Sequence, residues 1–587
     1  MVMNDNAETA RAWEQFLRMH AAALERFGPS APLAGGEAAT ALVESALRAL
    51  ARDPARIAKI QETFLARQLA FWQGILEGNP PAPDARATAP SGADTRVGDP
   101  AWHDLPFFRL LRDQHRLLVE WAEALVDAVE APAPERRRIA FVLRQWAEAA
   151  APANFLPLNP TALRAAFSTG GESLRRGMQH LEADLRRGRM TLTDETAFEV
   201  GRNLAVTPGA VVHENPLVQL IQYGPSTDRV HGRPLLIVPP FINKYYILDL
   251  RAQNSFVRFA VSQGLRVFII SWRNVPPALG GASWADYVED GVLASLRPVL
   301  EITRARSVNL LGFCVGGTLS ACAAAVEARR GGRRIASLTL LATLLDFADP
   351  GEIAVFIDEA YVRRCEQQAG DGSVVPGARL EHAFASLRAR DLIWHAMQHR
   401  YLLGEEPPAF DLLFWNADSA DLPSRLYADY LGQMYSRNAL RVPDAVQIHD
   451  TPVDLGRIRV PAYVLAARDD HIVPWRSAYA GMGLLAGERR FVLAESGHVA
   501  GIVNPPAPPR RGYWLHEDVA MDADAWYAAA QHRRGSWWQD WARWLRARSG
   551  RLIRAPEGLG SETHRPLEPA PGRYVREASG AATENTT

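Results

Sequence analysis

Apolar residues recur at helical spacing through roughly the first 190 positions of the chain. Trp13, Phe16, Leu17, Leu24 and Phe27 make one such stripe. Ile57, Ile60, Phe64, Phe71 and Ile75 make another, opening after Asp53-Pro54, a cap followed by proline at the first helical position. The pattern predicts an all-helical N-terminal domain over residues 1–195, interrupted by a flexible loop at 79–100 where Pro, Ala and small polar residues dominate.

From about residue 205 the period changes. Ala210–His213 and Val218–Tyr223 read as an opening β-hairpin, and continuous apolar runs follow at 235–238, 267–272, 308–311 and 338–341, separated by helical stretches. Uninterrupted apolar strands alternating with helices imply a parallel sheet covered on both faces. The rhythm breaks over 347–455, which carries helical and aromatic segments, and resumes at 462–466 and 491–494. An insertion between late strands of an α/β sheet is a usual place for a lid. The expected layout is therefore a catalytic core at 196–346 and 456–550, a lid at 347–455, and a C-terminal tail at 551–587 with fraying ends. Within the core, Ser536 caps a helix whose indoles Trp537, Trp538, Trp541 and Trp544 recur at helical spacing, the pattern of a packed helix.

Composition narrows the function classes. The 587 residues carry a formal charge of −1, so bulk charge attracts no polyanion and general nucleic-acid binding is excluded. Any anionic ligand must find a local cluster. Three cysteines, Cys314, Cys322 and Cys365, are too few to staple such a chain and fit a reducing compartment. The acidic start does not read as a secretory signal, and no apolar run approaches the roughly 18 residues of a membrane span. A cytoplasmic protein without a transmembrane segment is expected.

The strongest local signal is Gly312-Phe-Cys-Val-Gly-Gly317, which follows strand residues and precedes a helix of small residues. It is a G-x-C-x-G form of the nucleophile elbow of α/β-hydrolases, in which glycines permit the sharp turn that lifts the nucleophile out of the sheet. Cys314 is the candidate nucleophile, favoured as thiolate by the helix start; Cys322 and Cys365 read as core residues. The acid and then the base should come later in the chain. Asp469 and Asp470 follow the strand at 462–466, and spacing does not choose between them; His498 is distinguished by following the strand at 491–494, read as the last strand. His471 competes less well as the base because it sits in the acid loop. For an oxyanion hole, one donor is expected from the N–H of Val315 and the other from Phe241 or Ile242, since Pro239 and Pro240 cannot donate. A thiol exchanges readily with a thioester, which favours acyl transfer from a thioester over hydrolysis. No metal site is expected.

Five runs occur in one order: Val238-Pro-Pro-Phe-Ile-Asn-Lys-Tyr-Tyr-Ile-Leu-Asp-Leu250, the elbow, Phe410-Asp-Leu-Leu-Phe-Trp-Asn416, Asp470-His-Ile-Val-Pro-Trp475, and Ser496-Gly-His498 with Asn504-Pro-Pro506. Together they closely resemble poly(3-hydroxyalkanoate) synthases of the class I branch, over roughly residues 150–575. The resemblance implies polymerisation of (R)-3-hydroxyacyl-CoA, typically short-chain 3-hydroxybutyryl-CoA, with release of CoA and no separate cofactor. It implies Cys314, Asp470 and His498 as the catalytic residues, which breaks the tie between the aspartates. It further implies a homodimer on the surface of polyester granules, and it marks Arg388, beside Arg390, as a CoA contact. Trp415 and Tyr246 lie in matched motifs and are candidates for substrate binding, although packing explains them better. One departure is Phe241, at a position where members of the branch often carry cysteine; the pocket wall is bulkier and the monomer preference is left open. The alternatives are a cysteine-nucleophile thioesterase or esterase, and a granule-coating protein without activity.

Overall fold

A strand with no polar face must be covered on both sides, and in the computed structural model the continuous apolar runs form the interior of one large sheet. The structure describes residues 50–77, 97–369, 372–508 and 510–578. The chain divides into two compact units, residues 1–194 with 382–409, and 195–381 with 410–587. The segment read from the sequence as one lid is thus shared out: residues 382–409 belong with the N-terminal helices and the remainder with the sheet.

The first unit is helical. Its long helices are α1 (Pro54–Leu76), α2 (Pro106–Ala128), α3 (Ala133–Ala149) and α4 (Glu172–Arg187). Asp53 caps α1, accepting the Arg56 N–H at 2.9 Å ahead of Pro54, as its sequence predicts. The stripe at 13–27 and most of the 79–100 loop lie outside the described residues. The returning segment 389–401 buries Ile393, Trp394, Met397 and Tyr401 with Leu181 of α4. Beside them the fully buried Asp184 accepts from Arg400 Nε (2.9 Å), Tyr401 Oη (2.9 Å) and Thr191 Oγ1 (2.6 Å), so the carboxylate is compensated on every side.

The main sheet of the second unit has, among the described residues, eleven strands: β1 (Gly209–Glu214), β2 (Val218–Tyr223), β3 (Leu235–Val238), β4 (Val267–Trp272), β5 (Val308–Phe313), β6 (Ile335–Leu341), β7 (Ala462–Ala467), β8 (Arg489–Ala494), β9 (Gly512–Leu515), β10 (Gln531–Arg534) and β11 (Glu568–Pro569). Their order is β10-β9-β8-β7-β6-β5-β3-β4-β2-β1-β11. The run from β8 to β4 is parallel, and β1, β2, β9, β10 and β11 pair antiparallel at the two edges. This is the expected α/β-hydrolase architecture, with every interior strand within three residues of its predicted limits.

Two features differ from expectation. The strand bearing His498 at its end is the last parallel strand but not the last strand, because β9, β10 and β11 follow it. Residues 551–578 are not a loose tail: Leu552–Arg554 pairs with Arg229–His231, β11 extends the main sheet beside β1, and Tyr574 and Val575 are buried. Among the described residues no helix is long and apolar enough to cross a membrane.

Beneath the loop after β3, the fully buried Asp249 accepts from Thr207 Oγ1 and Ser255 Oγ, both at 2.6 Å. Burial outweighs these bonds and raises its carboxyl to about 6. The fold therefore favours the neutral acid. The stability this contributes is complete below the unfolded value of about 3.8 and is lost as pH rises through about 6. Measured against Asp249→Asn, the wild-type chain should lose about 2–3 kcal/mol of relative stability between pH 4 and 7; thermal midpoints differing by the same amount throughout would refute it.

Candidate active site

The chain leaves β3 for β4 on one side and returns to β5 on the other, so the carboxyl ends of β3 and β5 diverge at a topological switch point. Val238 pairs in register with Gly312, Phe313 with Leu341, Leu341 with Leu465, and Ala467 with Ala494. Four loops therefore leave the sheet along one rim: 239–250, the elbow, the acid loop and the histidine loop.

At the elbow, Cys314 joins β5 to helix α5 (Val315–Arg329) with φ +54° and ψ −127°, a region non-glycine residues rarely occupy. Strain of this kind costs about 1–3 kcal/mol and is held by its surroundings. The Cys314 N–H bonds the Leu341 carbonyl at 2.9 Å. A Cβ on Gly312 would fall 2.4 Å from the Gly317 Cα, and one on Gly316 would fall 2.3 Å from the Val238 carbonyl oxygen. Neither position admits a side chain, which is why the motif needs glycine there. The tight approach of Gly316 to Val238 and Pro239 also lays the loop carrying Phe241 and Ile242 beside the first turn of α5. Val315 opens that turn, where backbone N–H groups have no partner within the helix.

Asp470 and not Asp469 meets the histidine. His498 Nδ1 lies 2.7 Å from Asp470 Oδ2, while Asp470 Oδ1 accepts the N–H groups of Ile472 (2.8 Å) and Val473 (2.9 Å). Asp469 turns outward and pairs with Arg468 at 2.9 Å. His471 remains in the acid loop, where its carbonyl accepts the Glu352 N–H. His498 is buried, stacks on Phe313 with ring centroids 5.5 Å apart, and lies close enough to Cys314 to feel its charge. Burial alone would lower its pKa, but Asp470 and Cys314 outweigh burial and raise it well above that of an ordinary histidine. The two loops are also joined through the backbone, Asp469 N–H to the Ser496 carbonyl at 3.0 Å. The arrangement can hold a proton between a carboxylate and a thiol at a helix start, the requirement for nucleophilic acyl transfer.

Several candidate residues have other partners. Trp415 Nε1 donates to the Lys244 carbonyl at 2.7 Å and Tyr246 Oη to Asp418 at 2.8 Å, and both rings are buried. They brace the 239–250 loop and present no polar group outward. Lys244 itself is buried, donating from Nζ to the Glu577 carbonyl at 2.7 Å. Burial lowers its pKa, against the pull of Asp418, Glu577 and Asp421. Arg388 and Arg390 fall in the first unit, Arg388 paired with Asp391 and Arg390 with Glu148. Phe241 is buried among Tyr287 (centroids 5.3 Å apart), Tyr430 (6.3 Å), Trp284 (6.4 Å) and Trp272 (6.5 Å). Tyr430 and Tyr435, absent from the sequence reading, are half-buried and close enough to Cys314 to feel its charge. Their only signal in the sequence was an aromatic-rich stretch with no spacing of its own.

The family model described as the poly-beta-hydroxybutyrate polymerase (PhaC) N-terminus matches residues 93–260, and that of the alpha/beta hydrolase fold matches residues 233–505. The poly(3-hydroxyalkanoate) polymerase subunit PhaC of Cupriavidus necator is 46% identical over 528 residues, covering 89% of each chain. Poly(3-hydroxyalkanoate) polymerase 2 of Ectopseudomonas oleovorans is 40% identical over 489 residues, 83% of this chain and 87% of the other. The PhaC subunit of Rhizobium etli is 37% identical over 541 residues, 89% of this chain and 84% of the other. Similarity of this extent, reaching through the helices and the sheet alike, shows that the chain belongs to the poly(3-hydroxyalkanoate) polymerases, acyltransferases built on an α/β-hydrolase fold.

Proposed function

We propose that this polymerase takes (R)-3-hydroxyacyl groups, short-chain 3-hydroxybutyryl foremost, from their CoA thioesters by covalent catalysis at Cys314. The thiol attacks the thioester carbonyl as His498 accepts its proton, and Asp470 holds the imidazole in the required tautomer and stabilises its charged form. The tetrahedral oxygen is met by the Val315 N–H and by that of Phe241 or Ile242. CoA leaves as the thiol, taking the proton back from His498. The 3-hydroxyl of a further unit then attacks the acyl-cysteine thioester; the new ester C–O bond replaces the C–S bond, the hydroxyl proton returns to the departing Cys314 sulfur, and the polyester is longer by one ester bond. Thioester exchange of this kind calls for no cofactor beyond the CoA of the substrate.

The single observation that carries the reading is the 2.7 Å contact of His498 Nδ1 with Asp470 Oδ2 beside a cysteine on an elbow. Incubation of the purified protein with (R)-3-hydroxybutyryl-CoA tests it: CoA and polymer should appear together, with a hydroxyacyl adduct on Cys314 by mass spectrometry. CoA release accompanied only by free hydroxy acid would make the protein a thioesterase.

Two further parts of the proposal concern regions away from the cysteine. The phosphates of CoA need a local cation on a chain of neutral net charge, and Arg388→Gln should raise KM several-fold at unchanged kcat, with a loss that narrows at high salt; an unaltered KM would remove Arg388 from the site. The helical N-terminal module serves assembly as a homodimer and attachment to the polyester granule. Deleting it should spoil localisation or assembly while Cys314 remains acylatable.

A further inference from the structure

The tryptophan-rich helix that the sequence marks as packing does more than fill space. Helix α6 (Trp537–Arg546) is capped by Ser536 and buries four indoles. Two of them use their N–H groups on the loop that carries His498. Trp537 Nε1 donates to the Gly501 carbonyl and Trp538 Nε1 to the Ile502 carbonyl, each at 2.9 Å, and Ser536 Oγ donates to the Asn504 carbonyl.

These carbonyls end a short coil that begins at the histidine. Gly501 N–H bonds the Gly497 carbonyl at 2.7 Å, and Val503 N–H bonds the Val499 carbonyl at 2.8 Å. The coil thus transmits the position of its far end to His498, whose imidazole faces Asp470 and Cys314. Both indoles are themselves fixed, with ring centroids 5.8 Å (Trp537) and 5.2 Å (Trp538) from Phe256. Trp541, on the same helix, is equally buried but donates to Thr339 Oγ1 at 3.2 Å, on the sheet. Packing alone requires buried rings; it does not require two adjacent N–H groups aimed at consecutive carbonyls of one catalytic loop.

We infer that Trp537 and Trp538 are positioning residues for acyl transfer, clamping the 497–504 coil so that His498 stays in register between Asp470 and Cys314. The inference rests on the reading of His498 as the base. A loop displaced by about 1 Å costs on the order of a hundredfold in rate, whereas substrate binding away from the loop is untouched.

The test compares four variants of the full chain by kcat per titratable Cys314, KM for (R)-3-hydroxybutyryl-CoA, pH-rate profile and melting temperature. The double variant Trp537→Phe/Trp538→Phe keeps two rings and removes both donors; it should lose about ten- to hundredfold in kcat with KM nearly unchanged and a displaced pH profile. Trp541→Phe removes a comparable buried donor and should lower melting temperature without altering kcat or the profile. Incorporating benzothienylalanine, in which sulfur replaces the indole N–H at near-constant shape, at 537 and 538 supplies the same comparison if the double variant does not fold. Unchanged kcat and pH profile in the donor-deficient protein would overturn the clamp. His498→Gln separates the two readings: retained acylation there refutes His498 as the base, and lost acylation with an unaffected clamp variant refutes the clamp alone.

Discussion

Cys314→Ser should lower polymerisation by about 10⁴-fold or more, any acyl group that reaches position 314 being held as an oxygen ester that turns over slowly. The serine hydroxyl fits the elbow, so melting behaviour should change little. Chemistry is what fails. A thiol is intrinsically more nucleophilic than a hydroxyl, and its acyl-thioester is matched in energy to the CoA thioester from which it forms and remains reactive toward an alcohol. Serine would instead form an oxygen ester, more stable than the incoming thioester and slower to yield to the next hydroxyl. Loss of a nucleophile in a triad removes most of its rate enhancement. CoA release within tenfold of wild type would show that another residue takes the acyl group.

The second large effect is Asp470→Asn, expected to cost about 10⁴-fold in kcat while Asp469→Asn stays near wild type. The amide oxygen can still accept the Ile472 and Val473 N–H groups, so the loop should hold its shape. Its NH₂ would face His498 Nδ1 and favour the tautomer with the proton on the wrong nitrogen. The histidine would also lose the carboxylate that opposes burial, so its pKa should fall. The Asp469 carboxylate pairs with Arg468 on an exposed part of the loop, and a surface pair of that kind contributes little. Equal losses in the two variants would contradict the assignment of Asp470.

Legibility followed burial. Strands β3 to β8 are continuous apolar runs because they are covered on both faces, and Cys314 could be placed because the glycines around it have no room for a side chain. Edge strands lack that signature. Strand β10 is Gln-His-Arg-Arg and wholly exposed, and β11 is only Glu568-Pro569, so neither alternation nor hydrophobicity marks them. The choice of Asp470 needed a direction in space, which two adjacent aspartates cannot give; family resemblance supplied a choice, and in space it is the Asp470 carboxylate that lies 2.7 Å from His498 Nδ1. The partition of 347–455 between two units depends on contacts such as Arg400 with Asp184, 216 residues apart, which no local pattern announces. The indoles of α6 were correctly read as buried, but burial does not say where an N–H points.

The bond from Lys244 Nζ to the Glu577 carbonyl gives catalytic competence a place in time. Its partners stand 333 residues apart, with the elbow, the acid and the histidine all between them. At about 5–20 residues per second the ribosome needs roughly 15–70 s to make that interval. Throughout it, the loop expected to supply an oxyanion donor has emerged without its anchor. The 239–250 loop therefore gains this anchor only after nearly the whole described chain has been made.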